Sequence, residues 1–318
     1  MTTLSNVDEY GFERPADFDL AEYESFISGY LAVLTRRNIK WRRLLGRGKR
    51  ELRQNARTKR YIRKGVPAEY RARYRQLLQG PFQPAVLEVI AADLPRTFPD
   101  NIHFRGEASA ARVSLGNILR AFSKHRPNVG YCQGVNYIAG LLLLVTDREE
   151  DAFWLLAALV DRQLPDYYVR SMRGVRLDIE VFSQLVRVKL PNIYEHMQML
   201  GIAWSMIATK WFVCLFAEVL PVETLFRVWD CLFYEGTKVL FRVGLTLLKL
   251  HETRLLACRD FMETMTALRD LPRSPAVLQC HSFMESVFRL PDPFSSSLVQ
   301  QTRAKCTADL ERQDAKIK

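Results

Sequence analysis

The sequence predicts an all-α fold, because apolar residues recur at helical spacing along most of the chain and no run alternates as a half-buried strand would. Its 318 residues are 48% hydrophobic and 11% aromatic, which is typical of a globular protein with a sizeable core. We expect one compact helical body with tails. An N-terminal extension over residues 1–60, with an amphipathic helix and a basic segment, precedes it, and a polar C-terminal tail over residues 291–318 follows.

The first helix is predicted to begin just after Asp19. Asp19 and Glu22 have the spacing of a capping box, in which the two side chains accept hydrogen bonds from backbone N–H groups. From residue 36 to 60 the sequence turns basic and glycines interrupt it, so we expect the helix to end there and a mobile segment to follow. Within the predicted first helix, apolar residues recur at helical spacing, at Leu20, Tyr23, Ile27, Tyr30, Leu31 and Leu34.

Later helices are predicted from the same apolar spacing, and prolines mark where several of them start or stop. The chain shows no fixed repeat period. The predicted helical stretches are residues 115–122, 153–160, 181–188, 202–219, 222–233 and 239–256.

The formal net charge of +11 is concentrated in one segment. Residues 1–35 carry seven acids and one base, residues 36–75 carry seventeen bases and two acids, and residues 76–318 carry 28 bases and 26 acids. The predicted domain is therefore nearly neutral, and the high isoelectric point is not evidence for nucleic-acid binding by the whole protein.

The basic segment leaves three roles open. Residues 36–64 could contact anionic lipids at the surface of endomembranes, bind nucleic-acid phosphates, or form a solvated flank. Nucleic acid is the least favoured partner, because only Trp41 and Tyr61 offer stacking surfaces in this segment.

The N-terminus lacks the apolar core of a secretory signal, and the longest apolar run near the middle, residues 137–145, is about half of what a membrane-spanning helix needs. The six cysteines lie far apart without a C-x-x-C pair, which favours reduced thiols in the cytoplasm. No metal site is expected, because the four residues that could be imagined as ligands match no zinc pattern. These are His251, Cys258, Cys280 and His281.

Two polar segments interrupt otherwise apolar helical sequence. The first places Asp93 and Arg96 three residues apart at the end of a predicted helix, where the carboxylate can orient the guanidinium. The second, residues 130–136, is a glycine-flanked turn that presents Gln133, and its glycines allow a partner to approach the backbone closely. Taken singly, such features are usually a solvated ion pair and an ordinary turn.

At these residues the chain resembles the TBC domain of Rab GTPase-activating proteins, whose hallmarks are I-x-x-D-x-x-R and Y-x-Q. Both are present, as Ile90, Asp93 and Arg96 and as Tyr131 and Gln133. The resemblance covers roughly residues 61–290, which it implies form a single multi-helix domain. It extends to the short stretches 153–154, 164–168, 220–223 and 228–236.

The resemblance implies that the chain activates GTP hydrolysis by a GTP-bound Rab-family GTPase in vesicle trafficking. Arg96 would be an arginine finger, and Gln133 a glutamine finger that orients the attacking water. Asp93 would brace Arg96, while Tyr131, Gly134 and Asn136 would shape the loop. Trp229 and Asp230 would support the cleft, although the tryptophans as a group are more typical of core.

No cofactor of the chain's own is expected. The chain has no P-loop and no Rossmann fingerprint, so GTP and magnesium would belong to the partner GTPase.

The sequence departs from the family pattern in two places. The family's opening turn is present as residues 64–67, but Arg75 holds the position of an expected tryptophan and a block is missing between Arg73 and Tyr74. Pro95 is the second departure, because it removes a backbone donor and should bend the helix before Arg96. These departures leave an alternative open, a TBC-like scaffold that binds a GTPase without activating it.

Overall fold

The computed structural model describes residues 7, 13–14, 18–45, 83–106, 109–290 and 294–317. Across those ranges the chain is helical, and strand-like pairing is limited to one antiparallel bridge between Val7 and Glu13. The predicted all-α class is confirmed. The basic segment beyond residue 45, the turn at 64–67 and the shortened stretch at 73–74 lie outside the described residues.

The chain divides into two compact units, residues 1–158 and 159–318. In the first unit, the Asp19 half of the predicted capping box is present, since Asp19 Oδ1 accepts from the Glu22 N–H at 2.9 Å. Within its described residues, the helices of the first unit are α1 (Leu20–Leu45), α2 (Pro84–Asp93), α3 (Ala110–His125), α4 (Val135–Thr146) and α5 (Glu149–Gln163), the last of which runs on into the second unit.

The core of the first unit forms where α3 packs on α2 and on α4. The face of α3 predicted from apolar spacing is the buried one, with Leu115, Ile118, Leu119 and Phe122 at most 1% exposed. Helix α4 is apolar all round and buried along most of its length, as expected for a helix enclosed by its neighbours. This packing holds the end of α2 and the start of α4 in the same small body.

The second unit contains ten helices within the described residues. They are α6 (Arg173–Lys189), α7 (Pro191–Met199), α8 (Trp204–Val213), α9 (Val222–Glu235), α10 (Lys238–Leu250), α11 (Glu252–Ala257), α12 (Phe261–Asp270), α13 (Pro275–Leu278), α14 (Cys280–Arg289) and α15 (Ser296–Ile317).

Aromatic side chains fill the core of the second unit. The centre of the Phe182 ring on α6 lies 6.0 Å from the centre of the Trp211 ring and 5.6 Å from that of the Phe212 ring, both on α8. Trp204 and Trp229 are also buried, which agrees with the prediction that these tryptophans belong to the core. None of the helices in the described ranges has the length and apolar character needed to cross a bilayer.

The stretch predicted as a polar tail contains helix α15, which packs along α6. Asp178 on α6 is fully buried, and its Oδ1 pairs with Arg303 Nη2 of α15 at 2.7 Å. Its Oδ2 accepts from the Tyr167 hydroxyl at 2.5 Å. Burial raises the pKa of Asp178, and the positive Arg303 opposes that rise. The ion pair therefore anchors α15 to the second unit.

Replacing Arg303 by methionine should lower the free energy of unfolding by about 3 kcal/mol at neutral pH, because it leaves a buried carboxylate without its cation. Urea unfolding measures the loss. The deficit should shrink as pH falls, since without Arg303 the folded-state pKa of Asp178 rises further and the neutral carboxyl tolerates burial. Arg173→Met, at the exposed pair with Glu311, is the control and should cost about 1 kcal/mol or less. An Arg303→Met variant as stable as the control would refute the anchor.

Candidate active site

The first segment of the site is formed by the end of α2 and the 3₁₀ turn Leu94–Arg96. The Leu94 N–H still donates to the Ile90 carbonyl, but Pro95 has no N–H to offer the next one. The α-helix therefore ends at Asp93, and the backbone tightens into a 3₁₀ turn before becoming extended at Thr97. The sequence predicts that Pro95 bends the helix before Arg96, and in the structure the α-helix gives way to a 3₁₀ turn at this point.

Arg96 is held by the carboxylate of Asp93. Its Nε donates to Asp93 Oδ1 at 2.8 Å, and its Nη2 contacts the same oxygen. The Asp93 side chain is only 1% exposed, whereas that of Arg96 is 53% exposed. The hydrogen bond and the negative charge of Asp93 raise the pKa of Arg96, so the guanidinium stays charged. The result is an oriented cation that remains open to solvent.

Tyr131 binds the other oxygen of the same carboxylate. Its hydroxyl donates to Asp93 Oδ2 at 2.5 Å, across 38 residues of sequence. Burial is the main cause that raises the pKa of Tyr131 well above its usual value, and the bond to Asp93 adds to it. The phenol therefore remains a donor at all ordinary pH values. One buried carboxylate thus joins the two segments singled out in the sequence.

The glutamine lies in a turn whose backbone requires glycine. Gly130 has φ of 62° and Gly134 has φ of 106°, a region that residues with a Cβ rarely adopt. The Gly134 N–H donates to Asn136 Oδ1 at 2.9 Å, which closes the turn at the start of α4. Between these glycines Gln133 is exposed. The neighbouring Cys132 is half-buried, and burial raises the pKa of its thiol.

Thr97 is a site residue that the sequence reasoning missed. Its hydroxyl donates to the Asp93 carbonyl at 2.8 Å and accepts from Asn136 Nδ2 at 2.8 Å. Thr97 and Asn136 are both fully buried. A threonine after the arginine carries no local signal of this role, because its partner lies 39 residues later.

Phe98, directly after Thr97, fixes the end of the arginine turn against α4. It has φ of 50° and is buried. A Cβ on Gly140 of α4 would lie 3.0 Å from the Phe98 ring, so glycine permits this close approach. The Phe98 ring also packs on the rings of Phe104 and Tyr137, at 5.9 Å and 5.4 Å.

The structure brings together five of the predicted site residues and places Gln133 in the same loop. Trp229 and Asp230 lie on α9 of the second unit, where Trp229 is 2% exposed and donates its indole N–H to the Leu215 carbonyl at 2.9 Å. Their support of the cleft stays a prediction. The five residues that share hydrogen bonds are Asp93, Arg96, Tyr131, Gly134 and Asn136.

The cysteines are free thiols, and five of the six are buried. The Cys280 thiol accepts from Arg227 Nη1 at 3.4 Å. Within the described part of the chain, no cluster of three or more His, Cys, Asp or Glu side chains could hold a metal ion.

Comparison with known proteins identifies the family. A model described as the Rab-GTPase-TBC domain matches residues 35–256, which include every residue of the site. The chain belongs to the Rab-GTPase-TBC domain family. Human growth hormone-regulated TBC protein 1 is 45% identical over 326 residues, covering 96% of this chain and 96% of that protein. Growth hormone-regulated TBC protein 1-A of Danio rerio is 44% identical, covering 96% and 90%. The predicted resemblance to the TBC family is confirmed.

Solved TBC domains share the fold. The Chlamydomonas flagellar RabGAP TBC domain matches with a TM-score of 0.70 and 31% identity, covering 89% of this chain and 99% of that one. The Ypt/Rab-GAP domain of Gyp1p matches with a TM-score of 0.65 and 19% identity, covering 80% and 98%, and this likeness supports the fold alone.

Proposed function

We propose that this chain is a GTPase-activating protein for a Rab-family GTPase in its GTP-bound form. TBC family membership supports a Rab partner. The observation that carries the mechanism is the buried Asp93 carboxylate, which binds Arg96 with one oxygen and Tyr131 with the other. The arginine and glutamine segments are thereby parts of one hydrogen-bonded unit.

Arg96 would act as the arginine finger. Phosphoryl transfer is limited by charge that develops on the phosphate oxygens, and an arginine supplied in trans contributes about 10³ to 10⁵ in rate. A guanidinium has five N–H donors, and the bonds to Asp93 use only its Nε edge. The remaining donors can bind phosphate oxygens, and the exposure of Arg96 allows a GTPase to reach them.

Gln133 would orient the attacking water. A primary amide can accept from the water and donate to a phosphate oxygen at the same time, which an ammonium cannot do because it has no acceptor. Gln133 is exposed in a turn whose two flanks are hydrogen-bonded, so the side chain is presented from a defined backbone. The nucleotide and its magnesium would be carried by the GTPase.

The test is a panel of GTP-loaded Rab GTPases in single-turnover hydrolysis. At least one should be accelerated by about 10³-fold or more over its intrinsic rate. Binding should require the GTP form, since the fingers act on the terminal phosphate. A complete panel without acceleration would contradict the proposal.

A second candidate is a scaffold that binds the GTPase without activating it. One observation favours it: the alignment with the human relative runs over 326 residues, more than the 318 of this chain, so it contains gaps on this chain's side. A block missing from this chain between Arg73 and Tyr74, as the family pattern predicts, would produce gaps of this kind. Nucleotide-dependent binding without any rate effect, with catalysis restored by inserting the block, would support this alternative.

The basic segment would bring the activator to membranes that carry its GTPase. Arg36 and Lys40, on the described part of that segment, are exposed on α1. Each base near an anionic surface contributes about 1 kcal/mol. Sedimentation with phosphatidylserine vesicles, but not with phosphatidylcholine vesicles, would support this role.

A further inference from the structure

We propose that Thr97 is a positioning residue that couples the arginine turn to the glutamine loop. The inference rests on the proposed function and deepens it, because it states how the two fingers are kept in register. Its basis is one fully buried hydroxyl that bonds to both segments at 2.8 Å. Thr97 is not one of the positions in the hallmarks I-x-x-D-x-x-R and Y-x-Q.

The direction of each hydrogen bond follows from the groups present. A threonine hydroxyl has one proton, and Thr97 uses it toward the Asp93 carbonyl, which can only accept. The Thr97 oxygen must then face a donor, so the NH₂ group of Asn136 points to Thr97 and its carbonyl to the Gly134 N–H. The hydroxyl of Thr97 thereby fixes the amide orientation of Asn136 and, through it, the backbone that follows Gln133.

Gln133 is thus held on both sides by bonds that start at Asp93. On one side, the Asp93 carboxylate binds the Tyr131 hydroxyl two residues before the glutamine. On the other side, the Asp93 carbonyl binds Thr97, which reaches Gly134 through Asn136. Arg96 is bound to the same aspartate. A shift of Asp93 therefore moves both fingers together, and loss of Thr97 releases one side of the glutamine loop.

The location of Thr97 predicts a particular kinetic signature. Because its side chain is fully buried, it cannot touch a bound GTPase. Its loss should lower the maximal rate of stimulated hydrolysis and leave the half-saturating concentration of the activator nearly unchanged. A misplacement of about 1 Å at a catalytic group can cost about a hundredfold, so we expect a fall of about tenfold to a hundredfold.

The experiment is single-turnover GTP hydrolysis by a responsive Rab at increasing activator concentration. Thr97→Val, which removes the hydroxyl and keeps the shape, should lower the maximal rate as stated, and Thr97→Ser should restore most of it. Thr146→Val is the matched control, because this buried threonine of the same unit bonds to backbone carbonyls at the far end of α4. It should keep the wild-type rate. Thermal unfolding of each variant separates loss of fold from loss of position.

The decisive comparison is made with Gln133 removed. If Thr97 acts through the glutamine loop, Thr97→Val should cost about threefold or less in a Gln133→Ala background. Asn136→Ala breaks the same bond from the other side and should give the same pattern if Thr97→Val does not fold. The inference is overturned if Thr97→Val keeps the wild-type rate, if its full cost persists without Gln133, or if Thr97→Ser is equally impaired. Those results all require a Rab that responds to the wild-type chain, whereas a panel without any response refutes the proposed function itself.

Discussion

Replacing Arg96 by alanine should return GTP hydrolysis by a responsive Rab to within about tenfold of its intrinsic rate, a loss of about 10³ to 10⁵ in stimulation. The variant removes a cation that a buried carboxylate holds open to solvent. The loss should appear in the maximal rate, because the guanidinium binds charge that is greatest in the transition state. Single-turnover hydrolysis with the activator in excess measures it.

Two further variants sharpen this test. Arg96→Lys keeps the charge, but its single ammonium group cannot bind Asp93 with one edge and present further planar N–H donors with the other. It should therefore also be strongly impaired. Arg105→Ala is a matched control, because Arg105 is also 53% exposed and is paired with a carboxylate, that of Glu13. It should keep the wild-type maximal rate. Equal stimulation by the wild-type chain and Arg96→Ala would rule out the assigned finger.

Replacing Gln133 by alanine should lower the maximal rate by about 10² to 10³, the usual cost of removing one preorganised donor from a transition state. Fold stability should change little, because the side chain is exposed and the turn is held by Gly134 and Tyr131. Gln133→Asn keeps the amide but shortens the side chain by one methylene, so it tests whether the length of the side chain matters. It should be nearly as impaired as Gln133→Ala. Stimulation by Gln133→Ala equal to that of the wild type would remove the glutamine from the mechanism.

The sequence predicted helices well where apolar periodicity decides the structure, and less well where tertiary packing does. Residues 202–219 were predicted as one helix, but α8 ends at Val213. Leu215, Phe216 and Glu218 then take positive φ, and the first two are fully buried. Burial of these two large side chains in the core outweighs their local preference for helix and the strain of a positive φ. No local sequence pattern indicates that this will happen.

The candidate site, too, was predictable from sequence only where a local pattern marks its residues. The hallmark residues stand out in the sequence because their types and spacing form a pattern. Asn136 is predicted to shape the loop, and in the structure it lies in the first turn of α4, where its Oδ1 accepts from the Gly134 N–H. Its partner Thr97 could not be found, because a hydrogen bond across 39 residues depends on how α2 and α4 pack on α3. The positive φ of Phe98 is equally a result of that packing, since it seats the ring against Gly140.

If the chain supplies its own glutamine in trans, it should also activate a GTPase that lacks one. A responsive Rab whose own water-positioning glutamine is replaced by alanine is assayed with the wild-type chain and with Gln133→Ala. We expect the wild-type chain to accelerate this Rab to within about tenfold of the normal GTPase, and Gln133→Ala not to accelerate it. If the wild-type chain accelerates the normal Rab but fails on the glutamine-less one, Gln133 does not orient the water and the account is contradicted.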